Sequence, residues 1–301
     1  MQNALQKLNK YKYPYLFIAP TLIILFLFSF IPIFIAIFIS FTNMNLSGLA
    51  DFSNIKFNGF DNFVRLFSDA TFQKSMFNTL IFVVVGVPSV VIISMAIAIL
   101  INQGTSWIFK SFRVIYYMPS ITNIVAVAVI WGYLYNSQYG LINQMLGFIG
   151  IDPVSWLQDP VIAKFSLIIM AVWKAIGLNM IIFLAALQGI PRTYYEAAQI
   201  DGASRWAQLT KITVPLLSFA TFFVSITTLI GWIQFFEEPL VMTKGGPINS
   251  TMSMALFIYN TGFQRNNFGY AAAGSIVLFA IIILVTMIQF KVRKKDSDVE
   301  Y

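Results

Sequence analysis

From residue 14 to residue 41 the chain carries no charged side chain. A bilayer core about 30 Å thick is crossed by about 20 helical residues at about 1.5 Å each, so this run is long enough to span lipid. It is also too long for the apolar region of a secretory leader. Lys7, Lys10 and Lys12 precede it and no small-residue cleavage site follows, so the expectation is an uncleaved first spanning helix. Five further apolar runs give expected spans near 15–41, 79–102, 119–135, 161–187, 212–234 and 268–290. None alternates apolar with polar at period two, which argues against strands. With 58% hydrophobic and 10% charged residues, the chain cannot cover a soluble core with polar surface. The expected fold is all-α and integral to the membrane, with six transmembrane helices. Pro20, Pro32 and Pro88 fall inside these runs, where each removes a hydrogen-bonded rung and favours a kink.

The basic residues set the direction. Twelve fall in the N-terminus, the 103–118 and 188–211 loops and the tail, against five on the opposite side: Lys56, Arg65, Lys74, Lys244 and Arg265. The positive-inside rule then puts both termini in the cytoplasm, as an even number of spans requires. The net charge of +7 is spread over short segments between apolar runs, which fits lipid headgroups and not nucleic acid. Cysteine and histidine are both absent, which removes disulfides, thiol nucleophiles, Cys/His zinc sites and imidazole chemistry. No phosphate-binding Gly-x-x-x-x-Gly-Lys loop occurs, and no nucleophile and base are set together, so the chain is not expected to be an enzyme. Its division is expected to be 1–70, the first transmembrane helix and outer loop; 71–290, the main transmembrane domain; and 291–301, a cytoplasmic tail.

Between the fourth and fifth spans runs Gly189-Ile190-Pro191-Arg192-Thr193-Tyr194-Tyr195-Glu196-Ala197-Ala198-Gln199-Ile200-Asp201-Gly202-Ala203. This reads as a short helix. Thr193 followed by Glu196 fits a capping box, and Gly202 suits the left-handed turn that ends a helix. A cap accounts for Glu196 but not for the small Ala197 and Ala198, whose size permits close docking in another protein's cleft.

The same loop resembles the Glu-Ala-Ala signature of bacterial ATP-binding-cassette (ABC) importer permeases. Glu196, Ala197, Ala198, Gly202, Ile212 and Pro215 stand at its spacing, with Val214 where leucine is usual. Asp201 beside Gly202 is similar to the binding-protein-dependent carbohydrate branch. So are Phe57-Asn58-Gly59-Phe60-Asp61-Asn62-Phe63, Asn78-Thr79, Arg113, Met118-Pro119, Trp131, Met242-Thr243-Lys244-Gly245-Gly246-Pro247, Tyr259 and Phe268-Gly269-Tyr270-Ala271-Ala272. The resemblance implies a type I permease bundle, and a coupling loop at 188–215 in which Tyr195, Glu196, Ala197, Ala198, Asp201 and Gly202 seat against an ATPase. It also implies a second homologous permease, two ATPase subunits that bind ATP and Mg, and an extracytoplasmic binding protein delivering a sugar or oligosaccharide. The cofactors therefore belong to partners and not to this chain.

A gradient-driven secondary transporter is the alternative. Such proteins place ionisable groups at mid-membrane, whereas all twelve carboxylates here fall in loops or the tail, Glu237 and Glu238 lying near the outer end of the fifth span. For the solute path the candidates are polar residues inside spans. Thr227, Gly231, Gln234 and Glu238 follow one another at helical steps on a single face, flanked by Trp232 and Phe235. Ordinary helix packing and an interfacial tryptophan explain the same pattern. Lys174 lies near the middle of the fourth span, where a lysine costs about 2.5–3.5 kcal/mol on insertion scales unless a partner, water or solute receives it. Asn179 is five positions on, and shares that face only if Gly177 lets the helix distort.

Overall fold

The computed structural model describes residues 2–104 and 106–297, with side chains described for 13–104 and 106–293. The side chains of Lys7, Lys10, Lys12 and Lys294, and the tail beyond residue 297, lie outside the described residues. Among the described residues the fold is all-α, its only extended pairing an isolated bridge between Thr42 and Phe57. The helices that matter are α1 (Tyr13–Ser40), α2 (Ala70–Asn102), α3 (Trp107–Ile121), α4 (Ile124–Leu134), α5 (Ile162–Gln188), α6 (Arg192–Ile200), α7 (Arg205–Leu216), α8 (Ser218–Ile233) and α9 (Phe268–Ser297).

Four of these, α1, α2, α5 and the Phe268–Arg293 part of α9, are long and apolar enough to cross a membrane. The other two expected spans are each a bent pair. α3 and α4 meet at 100°, α7 and α8 at 61°. The third span is therefore not the continuous 119–135 helix expected. Pro119 lies in the last turn of α3, and at the break the Asn123 side chain accepts from Val125 N–H at 2.8 Å, starting α4 as a new helix. α4 has eleven residues, about 16 Å at 1.5 Å each, half a bilayer core. Much of the 103–118 segment, expected as a loop, is helix α3. The second span likewise begins at Ala70, nine residues earlier than expected, with Asp69 capping it through Thr71 and Phe72 N–H.

Prolines leave a local mark. Over Phe26–Phe30 the ladder of α1 widens to a π-turn directly ahead of Pro32, whose missing N–H removes a rung. In α7 a π-turn over Leu209–Thr213 precedes Pro215 in the same way, and the helix ends one residue later, at Leu216.

The chain forms two compact units, Met1–Ser68 with Ile258–Val277, and Asp69–Phe257 with Leu278–Tyr301. In the first, α1 presents exposed apolar side chains, Phe17 at 83% and Phe28 at 76%, as a lipid-facing helix does. Its far end is fastened. Asn62 Nδ2 donates to the carbonyls of Ser40 and Thr42 at 2.8 Å each, and Phe41 packs among Phe57, Phe60 and Phe63. Gly269 N–H donates to Met44 O, and a Cβ there would stand 2.1 Å from Thr42 O, so only glycine permits the approach. The Arg65 guanidinium lies over the Tyr270 ring.

In the second unit α5 is the central column. α2 packs along it, α8 closes on α2, and α3 lies against α5. One cluster of apolar side chains joins Phe82, Val90, Leu167, Val172, Trp232 and Phe235. Another joins Ala98, Met180, Phe183, Leu187, Leu217 and Val224, with Phe109 and Ile190 packed against it. The segment 243–254 is clamped to the start of α2. Lys74 Nζ donates to Ile248 O (2.6 Å), Asn78 Nδ2 to Asn249 O and Met252 O (2.9 Å each), and Thr79 Oγ1 accepts from Met254 N–H (3.0 Å). The Asn78-Thr79 pair and the Thr-x-Gly-Gly-Pro turn, far apart in sequence, are thus two halves of one structure.

Candidate functional site

Within the second unit a cavity of about 530 Å³ opens between α5, the end of α3, and α8 with the turn that follows it. Lys174 and Asn179 reach it from α5; Thr227, Gly231 and Trp232 from α8; Gln234 and Glu238 from the turn. All seven side chains singled out in the sequence for a solute path line this one space. The single-face argument for them holds only in part. α8 stops at Ile233, so Gln234 caps it and Glu238 stands beyond the helix, at the entry to a π-turn over Pro239–Thr243.

Lys174 Nζ makes no hydrogen bond or ion pair among the described residues, although its charge acts on the Glu238 carboxylate. Glu237 and Glu238 both line the cavity from the segment beyond the end of α8, where the sequence places them near the outer end of the fifth span and not at mid-membrane. Trp232 is 5% exposed, with its ring stacked on Phe235 at 5.1 Å and pressed on Gly86, where a Cβ would stand 2.2 Å away. It is a wall of the apolar cluster and not an exposed interfacial anchor.

Gly177 also has a different reason from the one expected. α5 stays α-helical through it, with Asn179 Nδ2 bonded back to Ala175 O, and no distortion brings Asn179 to the cavity. Glycine is needed because α3 comes close: a Cβ at 177 would stand 2.1 Å from Tyr116 O and 2.7 Å from Tyr117 Cα. Ser120, Thr228, Phe236 and Glu237 line the cavity too and were not singled out in the sequence. Thr228 was legible as a polar residue within a span. Ser120 falls within an expected span as well, but its partner stands 54 residues away, and that pairing was not legible.

The second candidate region is α6. No capping box forms: Pro191 occupies the N-cap position, and neither Thr193 nor Glu196 bonds to the helix start. Pro191 fixes its own φ but has no side chain to accept, so the helix starts without a side-chain cap. The other end is as expected. Gly202 has φ +75°, its N–H donates to Gln199 O, and Ala203 N–H donates to Ala198 O at 2.8 Å, a complete Schellman turn. A Cβ on Gly202 meets nothing of this chain within 4 Å, so a larger residue there is strained by backbone angle and not by an internal collision. Glu196, Ala197, Asp201 and Gly202 are exposed and Ala198 half-buried. Ile200 is 87% and Trp206 72% exposed, large apolar side chains with no cover. Tyr195 alone is tied inward, its hydroxyl 3.0 Å from Thr213 Oγ1.

Four apolar spans and two bent pairs among the described residues, a polar cavity within the second unit and an exposed helix between two spans are features of a membrane permease. The family model described as the binding-protein-dependent transport system inner membrane component matches residues 70–295, and the chain belongs to that family. It is 35% identical to a lactose transport system permease protein of Rhizobium radiobacter over 282 residues, 92% of each chain. Over 301 residues it is 32% identical to a trehalose/maltose transport system permease protein of Thermococcus litoralis, covering 99% of this chain and 100% of that one. A chain in the crystal structure of a bacterial alginate ABC transporter, in complex with its alginate pentasaccharide-bound periplasmic protein, matches with a TM-score of 0.81 at 26% identity over 94% of both chains. The protein is a permease subunit of an ATP-driven importer, and ATP hydrolysis lies in separate subunits. The gradient-driven reading finds no support among these relatives.

Proposed function

We propose that the chain supplies half of the path by which a sugar or oligosaccharide, handed over by an extracytoplasmic binding protein, enters the cell. The observation that carries this reading is the cavity: a lysine ammonium with no hydrogen bond or ion pair among the described residues, side-chain amides, threonines and two carboxylates share it with aromatic rings. Sugars are held by just such hydrogen-bonding groups beside apolar faces. A second homologous permease completes the path, and two ATPase subunits carrying ATP and Mg receive α6 of this chain and its counterpart. The relatives named above support the cargo class, being permeases of lactose and of trehalose or maltose transport.

Both termini are cytoplasmic in this proposal. The native chain lacks cysteine, so single cysteines report topology cleanly. Probes at Lys110, Tyr195 and Lys294 are expected to react only from the cytoplasm, and those at Asn58, Gln138 and Asn249 only from outside. A probe at position 58 reacting only from the cytoplasm reverses the orientation. For cargo, the importer purified with its partners is tested for sugar-stimulated ATPase activity against lactose, trehalose, maltose and an alginate oligosaccharide. Stimulation by none of them, in a complex that retains basal ATPase activity, counts against the sugar reading.

A further inference from the structure

α3 lines one candidate region and packs on an apolar cluster next to the other. Near its start, Phe109 packs on the apolar cluster that also takes Leu187 and Ile190, and Ile190 lies two residues before α6 begins. At its end is Ser120. Its Oγ donates to Lys174 O at 2.6 Å and accepts from Leu178 N–H at 3.2 Å. One hydroxyl of α3 thus bridges both ends of a single rung of α5, at the turn that bears Lys174. Gly177 makes room for it, since a Cβ there would stand 2.8 Å from Ser120 Oγ as well as against the α3 backbone. Two residues after Ser120 the chain begins the 100° break into α4.

Packed apolar faces can slide by small steps, whereas a hydroxyl bonded to both ends of one rung fixes the register of two helices. We propose that Ser120 is a positioning residue for transport. With Gly177 it clasps the end of α3 to the Lys174 turn, so that a shift of α3 at the root of α6 is carried to the cavity wall. The inference rests on the reading of α6 as the ATPase-docking helix and of the cavity as the solute path. Removing the hydroxyl spares the fold, because Leu178 N–H and Lys174 C=O are left to each other, the ordinary helical rung.

The test needs no knowledge of the cargo. In the importer purified with its ATPase and binding-protein partners, Lys174→Cys is labelled by a small water-soluble thiol reagent, with and without ATP, and Thr227→Cys on α8 serves as the control reporter. With Ser120 in place the labelling rate of Cys at 174 is expected to change with ATP. In the Ser120→Ala background that change is lost, while the response at position 227 persists. Ser120→Thr and Ser120→Val form a second pair, alike in shape and differing in the hydroxyl, and only Thr is expected to preserve the response. An ATP response at 174 that is equal in the Ser, Ala, Thr and Val backgrounds overturns the clasp and leaves the path reading intact. If neither 174 nor 227 is reached by the reagent in any state, the cavity is not a water-filled path and the underlying reading fails with it.

Discussion

The 243–254 segment and the α6 loop treat their side chains in opposite ways. In the first, the chain consumes its own polar groups. Lys74, Asn78 and Thr79 hold its backbone, and Thr243 and Thr251 pair their hydroxyls at 2.6 Å. That density of bonds sustains strained positions: Lys244, Ile248 and Asn249 have φ of 51°, 50° and 56°, a region that β-branched Ile248 in particular avoids. Around α6 most bonds are those of the backbone, with the Tyr195 hydroxyl, Ser204 and Gln208 adding local ones, and the large side chains of Ile200 and Trp206 are exposed. A motif whose residues all have work inside the chain is explained by folding. One whose residues have none points to a partner.

Substitutions can break that contrast, and the largest effect belongs to the clamp. Asn78→Ala leaves the buried Met252 carbonyl without its donor, about 1–3 kcal/mol, and frees that of Asn249, an exposed residue, to water. The variant is expected to lose thermal stability in detergent and to reach the membrane in reduced amount. Unchanged melting and unchanged abundance would show the clamp to be dispensable. Next comes Ile200→Asp, at a side chain that is 87% exposed. Burying an isoleucine against a partner is worth roughly 1.5–3 kcal/mol, about tenfold or more in affinity, so the ATPase subunits should co-purify poorly while the permease melts as wild type. Equal retention of the ATPase would place its dock elsewhere. Gly202→Asp should behave similarly through the strain of its positive φ.

Lys174→Met is smaller again. It removes a charge while keeping length, so insertion and assembly should be normal, but uptake should fall by roughly tenfold if the ammonium binds cargo, a charged hydrogen bond being worth about 1.5–3 kcal/mol. Gln234→Leu is the companion across the cavity, with a weaker loss. Wild-type uptake of every tested sugar by both variants removes them from the path. Smallest of all is Thr193→Ala, since Thr193 makes no cap. Its effect on stability should stay within about 0.5 kcal/mol, whereas a loss near 1 kcal/mol would reveal a capping box after all.

The hydropathy runs and the motif spacing left much of this legible. Lipid as a solvent imposes spans that can be counted, and a short helix closing on Gly202 is coded within a dozen residues, so both are local. The polar residues of the path were legible too, because Lys174, Asn179 and Thr227 are expensive inside apolar helices whatever surrounds them. The third span was misread because hydropathy does not register direction. The apolar residues of α3 and α4 look continuous, and only Pro119 and Asn123 carry the break.

What the sequence determined is therefore whatever depends on the solvent or on near neighbours: six apolar spans, the helix of the coupling loop with its glycine turn, and the kinds of side chain available to a path. The tertiary structure decided what depends on distant neighbours. It joined Thr79 to Met254 across 175 positions, set Ser120 on the Lys174 turn across 54, and made Gly177 a point of close approach where the sequence had suggested flexibility. Such bonds leave no periodic trace along the chain. A hydrogen bond between segments is specified by two residues whose meeting only the packed fold brings about.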